Sequence, residues 1–157
     1  MLARPEGSGL MVNVCYSNTD LEIVSRFDLK DLVRAFEIKK VTELNIWRDG
    51  KKYRANLETY RSFPTAEKTI TAMLNAIEGF DAAQRALWDR CTEKWFDICY
   101  EEMPDSKNVS ITEILKPALF ARIANAGAGL RVTIYRKDML VLKKAKTAKS
   151  IASSQKG

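Results

Sequence analysis

The dipeptide Asp49-Gly50 stands between two runs rich in strand-forming residues, Val41 to Arg48 and Lys51 to Tyr60. An Asp-Gly pair tolerates the positive φ angles of a two-residue type I′ turn, so this stretch predicts a β-hairpin. On the outgoing strand Tyr53, Ala55, Leu57 and Thr59 share one face, and Lys52, Arg54, Asn56 and Glu58 share the other. Such a strand belongs to a sheet packed on one side and wet on the other.

The segments around the hairpin supply the remaining layers. Leu10 to Tyr16 predicts an opening strand that stops at the turn-prone Ser17-Asn18-Thr19, whereas Leu21 to Phe27 fits either a second short strand or a frayed helix start. Asp28 is placed to cap a helix carrying Leu29, Leu32, Val33 and Phe36 at helical spacing. After the hairpin, Thr65 can cap a helix with the stripe Ala66, Ile70, Met73, Leu74 and Ile77, which Gly79 ends. Asp81 opens a third helix, with Ala83, Leu87, Trp88 and Cys91 expected to face inward.

Phe96, Ile98 and Tyr100 then alternate as in a strand, followed by an acidic loop over Glu101 to Asn108. Ser110 and Glu113 have the spacing of a capping box, and Pro117 either kinks that helix or begins a separate one over 117–125. Gly127 and Gly129 end it, Leu130, Val132 and Ile134 alternate in a last strand, and Met139 to Leu142 are expected to dock on the body. The pattern predicts an α+β fold: an antiparallel or mixed sheet with helices on one face, formed by a ferredoxin-like βαββαβ core plus one helix and one strand.

The expected organisation is a flexible leader over residues 1–9, one globular domain over 10–142 and a disordered lysine-rich tail over 143–157. With 157 residues, 46% of them apolar, the chain is long enough for a core that needs no disulfide or metal. The net charge is +6, and Lys143, Lys144, Lys146, Lys149 and Lys156 in the acid-free tail account for five of those charges, so the body is nearly neutral. No secretory signal precedes the first apolar run, and no stretch approaches the roughly 18 apolar residues of a membrane span. The expected location is the cytoplasm.

The chain has no histidine, which removes the usual general base near neutral pH and the triads built on it. Cys15, Cys91 and Cys99 are odd in number and widely spaced, and their apolar neighbours predict inert packing rather than a nucleophile or zinc ligands. Ala126-Gly-Ala-Gly129 follows a helix, so it is a cap and turn and not a phosphate loop. Glu101, Glu102 and Asp105 have no fixed spacing and suggest a solvated loop more than a Mg²⁺ site. No catalytic residue, metal or cofactor is expected.

What remains is contact. Trp47, Arg48, Lys51, Lys52, Tyr53, Arg54, Tyr60 and Arg61 gather on the hairpin, with Lys39 and Lys40 just upstream. Aromatics could anchor a partner and the cations could meet carboxylates or phosphates. The leading expectation is a non-enzymatic protein-binding module, such as a bacterial immunity protein or a phage-encoded inhibitor acting by surface occlusion. The alternative is a nucleic-acid-binding accessory protein using the basic hairpin and the lysine tail. No membrane partner is expected, and unpaired edge strands would allow a homodimer, although the sequence does not fix the oligomeric state.

The strand "WFDICY" (95–100), the segment "SITEILKPALFARIANAGAGL" (110–130) and the closing "RVTIY" (131–135) resemble a family of small bacterial α+β domains catalogued only as uncharacterised. The resemblance runs over residues 65–135 and implies a fold and a bacterial or phage-related origin. It transfers no functional residue.

Overall fold

The computed structural model describes residues 14–103 and 111–136. The expected leader, Ser110, the Met139–Leu142 segment and the lysine tail lie outside the described residues.

In chain order the elements are β1 (Val14–Ser25), α1 (Lys30–Ile38), β2 (Val41–Asp49), β3 (Lys52–Thr59), α2 (Ala66–Glu78), α3 (Ala82–Asp89), β4 (Glu93–Glu102), α4 (Pro117–Asn125) and β5 (Gly129–Tyr135). They form one five-stranded sheet of order β2-β3-β1-β4-β5. The pairs β2/β3, β3/β1 and β1/β4 are antiparallel, and β5 runs parallel to β4. Thus β1-α1-β2-β3-α2-β4 makes the expected ferredoxin-like core, while α3 and the α4-β5 unit extend it.

One face of this sheet is apolar. Leu21, Ile23, Ala55, Leu57, Phe96 and Ile98 point from the strands into a single buried cluster with Leu32 and Phe36 of α1, Ile70, Met73, Leu74 and Ile77 of α2, Trp88 of α3 and Leu119 and Ile123 of α4. The helices therefore lie on one side. Trp88 is fully buried, meets Phe36 edge-on and donates its indole N–H to the Ala126 carbonyl at 2.8 Å, which ties α3 to the end of α4. Leu87 is partly buried and Cys91 is buried, as expected, but Ala83 is exposed because the short α3 turns only its last residues inward.

Several local expectations are corrected. Ser17-Asn18-Thr19 does not end a strand. It forms a bulge in the pairing of β1 with β4, and β1 continues for twelve residues because β4 pairs with it on both sides of the bulge, with β3 joining from Leu21 onward. The hairpin turn is shifted by one residue: Asp49 pairs with Lys52, leaving Gly50-Lys51 as the loop. Gly50 has φ +60° while Lys51 is not in the left-handed region, so the turn fits type II′, with glycine at its first central position, rather than type I′. The stretch 111–116 is not helical, and α4 begins with Pro117 at its first turn.

Glu113 has a different task from the expected capping box. Its carboxylate accepts from the Ala66 N–H at 2.8 Å, satisfying a free donor at the N-terminus of α2 beside the Thr65 cap. On the edge strand β5, Leu130 packs against the core, yet Val132 and Ile134 are more than half exposed, since α4 does not extend over them.

Candidate functional site

The eight expected contact residues do not converge. Trp47, Lys52 and Arg54 rise from the sheet face opposite the helices, Arg48 and Tyr53 pair on the helix side, and Lys51 sits at the hairpin tip. Tyr60 and Arg61 follow the far end of β3, roughly 25 Å from the tip for a strand of this length. At the tip two of the four cations are matched by carboxylates: Lys52 bonds Glu93 at 3.3 Å and Arg54 bonds Asp49 at 3.2 Å, while Arg48 donates to the Gly50 carbonyl and its guanidinium lies 5.5 Å from the Tyr53 ring centre.

Tyr60 and Arg61 meet a different set of neighbours. Together with Lys39, Lys40, Val41, Thr59, Phe63 and Ala72 they line a cavity of about 360 Å³ on the helix side of the sheet. The Tyr60 ring is 79% exposed, and the Arg61 guanidinium sits 4.8 Å from the centre of the Phe63 ring. An adjoining depression of about 470 Å³ shares Phe63 and Ala72 and adds Glu67, Lys68, Thr71, Asn75 and Lys116. Beyond Thr59, a small pit of about 30 Å³ brings in Glu58.

Among the described residues, none of Lys39, Lys40, Arg61, Lys68 and Lys116 forms an ion pair with a carboxylate. Phe63, two residues after Arg61, carries no charge to mark it in the sequence, and Lys68, Ala72 and Lys116 come from segments that only folding brings to it.

Lys40 itself is unusual. It follows α1 with φ 64°, a left-handed conformation that a helix end normally assigns to glycine, and its carbonyl accepts from the Tyr60 N–H at 2.9 Å. The variant Lys40→Gly is expected to raise the unfolding free energy by about 0.5–1 kcal/mol, read from chemical denaturation. An unchanged or lowered midpoint would contradict the strain.

The opposite face of the sheet is polar. Asp97 on β4 is 4% exposed and accepts from Arg131 Nε at 3.0 Å and from the Thr133 hydroxyl at 2.8 Å. Arg131 also reaches across β4 to Glu22 on β1, so one guanidinium joins carboxylates on two strands. Asp20 faces Asp97 directly across β1/β4, and burial, then Glu58, Asp97 and Glu22, push its carboxyl up to about 6. Among the described residues no three His, Cys, Asp or Glu side chains are placed to hold a metal ion.

No family model, curated protein or solved structure matches the chain. Burial pushes the Cys91 thiol up to about 11 and the Cys99 thiol up to about 12, so both carry their proton near neutral pH and are poor nucleophiles. Cys99 sits on the polar face rather than in the helix-side core, with Tyr135 as a hydrogen-bond partner. No helix among the described residues is long and apolar enough to cross a membrane.

On the same polar face Trp47 and Trp95 are 38% and 36% exposed, separated by β3 and β1. The Trp95 ring packs closely against Gly129, its register neighbour on β5: a Cβ there would come within 2.4 Å of the indole. Glycine is needed for that close approach, which fixes the ring in place.

Proposed function

We propose that this protein is a non-enzymatic binding module that docks another protein on the helix-free face of its sheet and acts by covering a surface, as immunity proteins and phage-encoded inhibitors do. The observation that carries this reading is the pair Trp47 and Trp95, held part-exposed on that face, with Arg54 and Asn56 on the strand beside Trp47. Tryptophan and arginine are the side chains most often found at the energetic centres of interfaces.

The face also has adequate size. Five strands about 4.8 Å apart and about 26 Å long project on the order of 600 Å², close to the roughly 800 Å² per partner of a specific complex. Ion pairs stiffen the surface: Lys52–Glu93 passes over β1, and Arg131 joins β5, β4 and β1. A rigid face loses less entropy on binding than a mobile one.

The hairpin tip supports the nucleic-acid alternative less well, because its Lys52 and Arg54 already face carboxylates. The experiment is affinity capture with the full chain, comparing the parent with Trp47→Ala. A stoichiometric protein partner held by the parent and bound about tenfold more weakly by the variant is expected. Equal capture by both, or well-defined turnover of a small molecule, would overturn the proposal.

A further inference from the structure

We propose that the groove lined by Lys39, Lys40, Tyr60, Arg61 and Phe63 binds single-stranded nucleic acid, with phosphates on the cations and a base on the Tyr60 ring. It lies on the helix side of the sheet, away from the face assigned to a protein partner, so the two proposals stand or fall separately.

The cavity of about 360 Å³ is lined by three cations and no acid, and the adjoining depression adds Lys68 and Lys116 against the single Glu67. None of these cations is matched by a carboxylate among the described residues, in contrast to Lys52, Arg54, Arg122 and Arg131, which all are. The Lys39 ammonium lies beside Gly79 at the C-terminal end of α2, where the helix dipole favours a cation without neutralising its charge. A chain of phosphates passing from one depression to the next would meet cations throughout.

Shape and stacking give the second part. Single strands are bound where a basic track runs beside aromatic faces, because every base can stack whatever its identity. Tyr60 is 79% exposed and its backbone is anchored to Lys40, so the ring is presented from a fixed point. Phe63 already carries the Arg61 guanidinium on its face, which leaves Arg61 positioned for a phosphate while Tyr60 receives the base. The two depressions meet at Phe63 and Ala72, and this elongated form suits a strand of a few nucleotides better than one mononucleotide.

The third part is strain. A lysine in the left-handed region costs stability that glycine would not, and such residues persist where the side chain has a task. Lys40→Gly therefore separates binding from folding, since the variant gains stability while losing a phosphate contact.

The test uses the full chain and a fluorescent oligothymidylate of about ten nucleotides, followed by anisotropy at about 50 mM and about 200 mM salt. Tyr60→Ala, which changes no charge, is expected to weaken binding by about fivefold or more, the effect of losing one stacked base. Lys40→Gly is expected to weaken it and to lower the salt slope by about 0.7, the value for one phosphate contact to a single strand. Lys30→Ala, an equal loss of charge at the other end of α1, should leave affinity within about twofold. If Tyr60→Ala binds like the parent, the lysine tail alone holds the strand and the groove is not the site. Equal affinity for thymidine monophosphate or for duplex DNA, or no binding at the lower salt, would also overturn the proposal.

Discussion

Arg131→Met lowers the unfolding free energy by about 2–3 kcal/mol near neutral pH, somewhat less than the roughly 3–5 kcal/mol for fully buried pairs that lose one partner. The expectation follows from where the charge is left. Asp97 is almost completely buried, in the middle of the sheet, with Asp20 directly across from it and Glu22 on the same neighbouring strand. Arg131 is the cation that reaches Asp97 and Glu22, and without it the Thr133 hydroxyl is the remaining side-chain donor to Asp97. Like charges opposite one another on a sheet repel, so the loss exceeds that of an ordinary surface pair.

Arg131 is itself 40% exposed on its side chain, which is why the loss stays below that of a fully buried pair. Urea denaturation checks it. Asp97→Asn in the Arg131→Met background should recover about half of the loss, because the uncompensated charge is then gone. A loss below about 0.5 kcal/mol for Arg131→Met would show that solvent already screens this network.

The sequence made the fold legible wherever the signal was local. Asp49-Gly50 marked the hairpin, the stripe from Ala66 to Ile77 marked α2, and Asp81 marked the start of α3, where the structure adds a capping box with Gln84. It misled where pairing across the sheet outweighed local preference. Ser17-Asn18-Thr19 has turn chemistry, but pairing with β4 before and after it absorbs it as a bulge. Glu113 has the spacing of a cap for its own segment, yet its carboxylate serves Ala66, 47 residues earlier in the chain.

The candidate sites show the same division. Tyr60 and Arg61 were visible as an aromatic–basic pair with Lys39 and Lys40 upstream, but the shared cavity that also takes in Phe63 and Ala72 depends on how the α1–β2 turn, the β3–α2 loop and α2 pack together. Residue type also hid Lys40, because nothing in a lysine announces a positive φ. Likewise Trp95 was legible as part of a strand, whereas its support by Gly129 depended on β5 lying parallel to β4 in one register.

Asp20→Asn is expected to stabilise the protein by about 1–2 kcal/mol at pH values above about 7, and to leave it nearly unchanged below about pH 4. Burial is the main cause, followed by Glu58, Asp97 and Glu22, and together they push the Asp20 carboxyl from 3.8 up to about 6, against the Asn18 amide, which donates to it at 2.6 Å. The folded protein therefore holds this proton more tightly than the unfolded chain. Stability from this group is complete below the unfolded value and is lost as pH rises through the folded one, so the window lies between about 4 and 6. The full difference would correspond to about 3 kcal/mol, a ceiling that partial solvent access at Asp20 reduces. Asparagine keeps the acceptor for Asn18 and removes the charge that Glu58, Asp97 and Glu22 oppose. Other carboxylates tilt the stability of both proteins alike, so the informative quantity is the difference between parent and variant in urea midpoints across the pH range. It should open through the window and level off above it. A difference that stays constant with pH, or a variant weaker than its parent near neutrality, would mean that the acids on this face are better solvated than their placement indicates.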